Sequence, residues 1–302
     1  VIVLDNSNII EASVIIPCKN EINNLKMTLD SIKKSKNKTI YEIIVVDDGS
    51  EDNSTEFLKL QKDEYNNIVL IESKNLGCAG AKNAGAEISK GGYLFFIDAH
   101  VKVTDYWLDN LINTIKNNKA DLVAPCICNM KNVTAKGYGE NWTENLKLKW
   151  ILKKPEDITE IPIACGCAFG IKKNVFESVN GFDHFFQVWG REDEEISLKL
   201  WLYGYKVVVN PFVKIQHLFR QKFPYEVTPV NVTYNTLCMA YLHFDKKRIA
   251  KTIAILKFDP FFDEAAKFIK KNFHLIMIQR AKYLKEIKFD DNYFFEKFNI
   301  PY

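Results

Sequence analysis

Tyr93-Leu-Phe-Phe-Ile-Asp98-Ala-His100 is an apolar, aromatic run that stops on two residues able to bind a metal. A strand inside an open α/β sheet reads as a continuous hydrophobic run because both of its faces are covered. Ligands of such sheets gather just beyond the carboxyl ends of the strands. Asp98 and His100 therefore stand where a site belongs, spaced to converge on one cation. A carboxylate oxygen with an imidazole nitrogen suits Mn²⁺ or a similar divalent ion better than Ca²⁺, which prefers all-oxygen shells. Taken alone, Asp98 fits a turn former or helix cap equally well.

The surroundings of that run repeat its logic. Ser13-Val-Ile-Ile-Pro17 and Glu42-Ile-Ile-Val-Val46 are short apolar strands, and Asn67–Ile71 is a third. Leu25, Leu29 and Ile32 recur at helical spacing, as do Leu108, Leu111, Ile112 and Ile115. Asp121–Ala124 reads as a strand ending at Pro125. Strands alternating with helices at these intervals predict a parallel sheet of right-handed βαβ units. From Cys126 to Ile161 the pattern breaks down around Gly137, Gly139, Trp142 and Trp150, which predicts a long excursion serving as a substrate loop. Regularity returns in a small-residue strand at Ile163–Ile171 and a helix at Asp193–Tyr203. Strands at Lys206–Val209 and Val213–Leu218 follow. After Pro229 the spacing is helical throughout, over 233–244, 246–257, 261–272 and 274–286.

Bulk properties narrow the function. A chain of 302 residues, 47% hydrophobic and 26% charged, builds a full core. Its net charge of +3, with Lys dispersed among Asp and Glu, gives no footprint for nucleic acid. No apolar run reaches membrane-span length, and Val1–Ile10 lacks the basic start and long apolar core of a signal peptide. The seven cysteines contain no CxxC pair and read as reduced, mostly buried thiols. A cytoplasmic location is the resulting expectation.

Four clusters end the strands on one side of the inferred sheet: Pro17-Cys-Lys-Asn20-Glu21, Asp47-Asp48-Gly49-Ser50, the small-residue segment Asn75–Gly85, and Asp98-Ala99-His100. In the third, Gly77 and its neighbours allow close backbone approach, and Lys82 is suited to face phosphate or base. Neither a GxxxxGK[ST] nor a GxGxxG pattern is present, which removes support for ATP hydrolysis and NAD binding.

Ile15-Ile-Pro-Cys-Lys-Asn-Glu21, Val45-Val-Asp-Asp-Gly-Ser50, Asn75–Gly85 and Phe96-Ile-Asp-Ala-His100 together resemble the GT-A glycosyltransferases of family 2. The Asp-x-His form is similar to that of the polypeptide N-acetylgalactosaminyltransferases. So are Val188-Trp-Gly-Arg-Glu-Asp-Glu-Glu-Ile-Ser197, and His217-Leu-Phe-Arg220 with Phe223-Pro-Tyr225. The resemblance spans roughly residues 11 to 225. It implies an α/β GT-A fold with a mostly parallel, Rossmann-like sheet and flanking helices, followed by a C-terminal helical extension. Residues 1–228 would form the catalytic domain, with a nucleotide-sugar half at 1–125 and an acceptor half at 126–228; 229–302 would be the extension.

The resemblance also implies roles. Asp47 or Asp48 accepts the uracil N–H of a UDP-sugar, and Lys82 stands where an Arg is more usual, which loses the planar fork. Pro17, Asn20, Glu21, Asn75, Gly77, Asp98, Ala99, Gly166 and Arg220 belong to the donor site, with Gly166 making room for the sugar ring. Asp98, His100 and His217 are the ligands of Mn²⁺ or Mg²⁺, which stabilises the charge on departing UDP. Trp189 and Arg191 precede the Glu192-Asp193 pair, and the resemblance implies that all four are catalytic-site residues, with Trp189 a gate whose aromatic face stacks on a sugar ring. Two carboxylates at a helix start are good capping residues in any protein. In family 2 the Asp of such a pair is the base of an inverting transfer, whereas the retaining polypeptide transferases carry Asn there. An aspartate takes a proton and an Asn does not, so Asp193 points to inversion. The expected activity is transfer of a hexose or N-acetylhexosamine from a UDP-sugar to a peptide or protein side chain, as hydroxyl or Cys thiol. A glycan-elongating transferase and a non-catalytic nucleotide-sugar-binding scaffold remain the alternatives. Recognition of a peptide would fall to the 129–160 loop or the helical tail.

Overall fold

The computed structural model describes residues 9–61 and 63–302; the N-terminal reading of Val1–Ile10 falls largely outside them. In chain order the elements are β1 (Ala12–Cys18), α1 (Leu25–Lys34), β2 (Tyr41–Asp48), α2 (Glu56–Leu60), β3 (Ile68–Ser73), α3 (Gly77–Ile88), β4 (Tyr93–Ile97) and β5 (Val101–Lys102). They continue with α4 (Trp107–Asn117), β6 (Leu122–Asn129), β7 (Asn132–Gly137), β8 (Glu140–Trp142), β9 (Leu148–Trp150), β10 (Thr159–Glu160) and β11 (Ala168–Lys172). The last are α5 (Lys173–Ser178), α6 (Glu192–Leu202), β12 (Val207–His217), α7 (Pro229–His243), α8 (Lys246–Leu256), α9 (Phe262–Glu286) and α10 (Asp291–Lys297).

The main sheet runs β10-β12-β6-β11-β4-β1-β2-β3. Strand side chains alternate between faces, and the sequence uses both. Val14, Ile16, Phe95 and Ile97 pack under α1 and α4, while Ile15, Val46, Leu94 and Phe96 pack on the opposite face. That second core is continuous with Tyr234, Leu237, Tyr283 and Phe294, so the helices after residue 229 complete the covering of the sheet. No helix of the described residues is long and apolar enough to cross a membrane.

The expected parallel pairing holds for β4-β1-β2-β3 and for β6 with β12. β11 departs from it, running antiparallel to both β4 and β6. A parallel return needs a crossover, usually helical, and the 130–167 excursion contains only short ribbons: β7 folds back on β6, and β8 pairs with β9. β6 does not stop at Pro125. The β11 pairing ends at Val123, and the β12 register shifts after Asn210, so the missing proline N–H costs no ladder bond on the β11 side. The expected strand at 163–171 is shorter, because the Ala164 N–H is taken by Ser197 Oγ and the Gly166 N–H by Asp193. The two strands expected at 206–218 form one irregular strand, β12. The helices expected at 261–272 and 274–286 are the single 25-residue α9, with no Gly or Pro to divide them.

Candidate active site

The carboxyl ends of β1, β2 and β4 open into a cavity of about 840 Å³, within the usual range for small-molecule sites. Pairing of β5 with β12 brings the third element: His217 lies opposite Val101, and the Leu218 N–H donates to the His100 carbonyl at 3.1 Å. His217 Nε2 is thereby 3.0 Å from His100 Nε2 and 3.2 Å from Asp98 Oδ2. The three ligand atoms lie within 4.8 Å of one another, and two imidazole nitrogens with a carboxylate oxygen converging on one point fit a divalent cation of the Mn²⁺ type. His100 Nδ1 sits 3.1 Å from the Glu21 carboxylate, close in distance but without hydrogen-bond alignment. Burial opposes ionisation of Asp98, yet the hydrogen bond from His217 and the charges of His100, His217 and Lys82 hold its carboxyl well below the usual range.

Beside the triad, Arg220 pairs with Glu21 and leaves its buried Nε without a partner, a donor available to an anion. Asp48 lines the cavity and accepts the Leu76 and Gly77 N–H groups at 2.7 and 2.9 Å, fastening the start of α3 to β2. Gly77 adopts φ +72, and a Cβ there would sit 2.9 Å from the Val188 backbone nitrogen. The close approach lets the Cys78 N–H donate to the Val188 carbonyl at 2.7 Å, which ties α3 to the loop entering α6.

Two expected donor-site residues are not brought into the cavity. Asp47 turns into its own loop, where it accepts from Ser50 N–H at 2.8 Å and Thr55 Oγ1 at 2.6 Å. Asn20 bridges the Glu51 N–H and the Pro224 carbonyl, bracing the wall from behind. Pro17, Glu21, Asn75, Gly77, Ala99 and Gly166 line the cavity as expected. Lys82 also lines it but is 1% exposed and paired with Glu192 at 3.4 Å, rather than extended toward a phosphate. Burial opposes its charge, but Glu192, Asp98 and Asp193 keep it firmly protonated.

Asp193, in the first turn of α6, accepts from Gly166 N–H at 2.8 Å through Oδ2 and from Glu194 N–H at 3.0 Å through Oδ1. Burial, with Glu192 and Glu194 beside it, pushes its carboxyl up to about 7, a value suited to a general base near neutrality. A Cβ on residue 166 would lie 2.8 Å from Asp193 Oδ2. The glycine therefore makes room for this carboxylate, which corrects the expectation that its open space serves the sugar ring. Trp189 is 37% exposed and packs on Phe223 with ring centroids 4.6 Å apart, forming an aromatic lip. The Arg191 guanidinium faces Glu194, the Leu146 carbonyl and Thr236, so it holds loops together. Sequence reasoning missed Glu140, Glu194 and Cys165 as cavity residues. Glu140 and Cys165 lie in stretches whose surroundings no local period reveals.

A mixed α/β sheet with this strand-end triad and an acidic helix start defines the GT-A class of fold. The family model described as Glycosyl transferase family 2 matches residues 13–179, and one described as N-terminal domain of galactosyltransferase matches residues 148–222. The chain belongs to glycosyl transferase family 2. It is 31% identical over 246 residues to a Probable N-acetylgalactosaminyltransferase 6 of Caenorhabditis elegans, covering 72% of this chain and 39% of that protein. To human Polypeptide N-acetylgalactosaminyltransferase 14 it is 31% identical over 233 residues, covering 70% and 41%. The chain thus spans about two fifths of the length of these relatives. In fold it is similar to GalNAc-T7, crystallised with UDP, GalNAc and Mn2+, at a TM-score of 0.72 and 21% identity, over 97% of this chain and 57% of that one. It is also similar to S. aureus TarS 1-349 in complex with UDP-GlcNAc, at a TM-score of 0.61 and 15% identity, over 91% and 89%.

Proposed function

We propose that this chain transfers a hexose or N-acetylhexosamine from a UDP-sugar to a protein or peptide side chain, with inversion at the anomeric carbon. The observation that carries the reading is the placement of Asp98, His100 and His217 in the same cavity as Asp193. Asp98, His100 and His217 would hold a divalent cation, Mn²⁺ or Mg²⁺, whose charge stabilises the diphosphate leaving group. Arg220 offers its unpartnered Nε to the same anion. Glu192, fixed by Lys82, presents a carboxylate to sugar hydroxyls. Asp193 takes the acceptor proton, and Trp189 with Phe223 covers the mouth against water. The names of the relatives favour an N-acetylhexosamine donor and a polypeptide acceptor.

The test is UDP release by the purified protein over a panel of UDP-sugars with Mn²⁺, with and without Ser/Thr and Cys peptides, alongside His100→Ala. Turnover of one donor that disappears with EDTA and in the variant is the expected result. Equal silence on all UDP-sugars, with no Mn²⁺-dependent UDP binding, would overturn the reading.

A further inference from the structure

Glu140 opens β8, is 6% exposed and lines the cavity, yet has no role in the scheme above. No hydrogen bond from the described residues reaches its carboxyl. One ligand atom each from Glu140, Cys165 and Asp193 lie within 4.8 Å of one another. Asp193 differs from Glu140 in that both of its oxygens accept backbone N–H groups. A polar side chain this buried and this unpartnered is left for a ligand to satisfy.

We propose that Glu140 is a second acceptor-facing residue, an un-ionised carboxylic acid that works with ionised Asp193 to clamp the acceptor, and that the acceptor group is a hydroxyl. The inference rests on Asp193 being the base. Hydrogen bonds of about 2.7 Å let one oxygen bridge carboxyl oxygens up to about 5.4 Å apart, and the observed spacing is within that reach. A hydroxyl accepts from Glu140 while donating to Asp193; a thiol sulfur is only a weak acceptor. Two carboxyls this close do not ionise together cheaply. The single charge belongs on Asp193, which has two N–H donors, and the proton on Glu140, which has none.

The charged and titratable groups around the pair support that assignment. Glu192 and Glu194 on α6 and Lys82 on α3 face Asp193, and Cys165 and Cys167 lie next to it before β11. Asp193 and Glu194 face Glu140; burial, reinforced by them, pushes its carboxyl up to about 9. In the transfer, the acceptor O–H bond breaks and its proton passes to Asp193. An acceptor lone pair forms the bond to the anomeric carbon, and the old bond's electron pair leaves on UDP. Glu140 keeps its own proton throughout.

Glu140→Gln retains a donor but cannot ionise, and Glu140→Leu removes the donor. The first readout needs no turnover: melting temperature of wild type and Glu140→Gln from pH 5 to 10. Because the folded state favours the protonated acid, that stability is lost as pH rises through about 9. The Glu140→Gln advantage should widen by on the order of 5–10 °C across that range; a flat difference overturns the un-ionised state. The second is UDP release to water: Glu140→Leu should lose about tenfold in kcat with donor affinity within about twofold. The wild-type alkaline limb should be absent from Glu140→Gln; wild-type kcat in Glu140→Leu, or a persisting limb, overturns the clamp. Faster UDP release to 2-mercaptoethanol than to ethylene glycol overturns the hydroxyl assignment. Asp193→Asn is run alongside. If it keeps turnover, the base reading falls and takes the clamp with it. If it is inactive while the Glu140 variants match wild type in both readouts, only the clamp falls.

Discussion

Gly166→Ala isolates what the glycine does. The new methyl would lie 2.8 Å from Asp193 Oδ2, 2.9 Å from its Cβ and 3.0 Å from its Cγ. Carbon atoms in good contact stand about 3.5–4.0 Å apart, so the Asp193 side chain must retreat by about 0.6 Å or more. Helix α6 offers little give, since Ile196, Leu198 and Leu200 are fully buried and Ser197 Oγ holds the Ala164 N–H at 3.1 Å. The side chain must therefore rotate, stretching the 2.8 Å bond from the Gly166 N–H. A misplacement near 1 Å costs about 10²-fold in rate, so kcat should fall by about 30- to 100-fold. Overpacking should cost about 1–3 kcal/mol of stability, leaving the protein folded. The assay is UDP release at saturating UDP-sugar with Mn²⁺, paired with donor affinity by calorimetry. Wild-type kcat would refute the reasoning. A loss confined to donor affinity would also refute it, because the gap would then serve the sugar ring.

Further outcomes follow from the same geometry. Transfer should decline with falling pH along a limb near 7, where Asp193 gains its proton, and Asp193→Asn should remove transfer at all pH values. The folded state raises this carboxyl above its ordinary range, so its stabilising contribution is complete at acid pH and lost as pH rises through about 7. Asp193→Asn should accordingly melt higher than wild type at pH 8 and equally at pH 4, by calorimetry. His100→Ala should abolish Mn²⁺-dependent UDP binding in titration calorimetry while leaving the far-ultraviolet circular dichroism unchanged. Lys82→Met strands the buried Glu192 carboxylate without its partner, which should cost about 3–5 kcal/mol in denaturant unfolding; a loss below about 1 kcal/mol would show that Glu192 is stabilised by other groups.

Much of the sheet was readable from local pattern. β1, β2 and β4 are short apolar runs because both faces of the sheet are covered, and α1 and α4 display their buried stripe at helical spacing. β11 is shorter than the apolar run Ile163–Ile171 suggests, because Ala164 and Gly166 ahead of it give their N–H groups to α6, a demand that the run does not carry in its own composition. The helical tail was readable as helices. Its share in the sheet's core was not, since a buried stripe does not name the surface it meets.

By itself the sequence determined that strands end on Asp48 and on Asp98-Ala-His100, and that a helix begins at Glu192-Asp193. Those facts lie in hydrophobic periods and turn residues a few positions long. Only the tertiary structure decided that His217 reaches His100 across 117 residues of chain. It also decided that Asp48 rather than Asp47 faces the cavity, that Asp193 fills the space beside Gly166, and that Glu140 stands next to Asp193. Each of these depends on the order of strands in the sheet and on which loops close over its edge, and both are settled by packing the whole core.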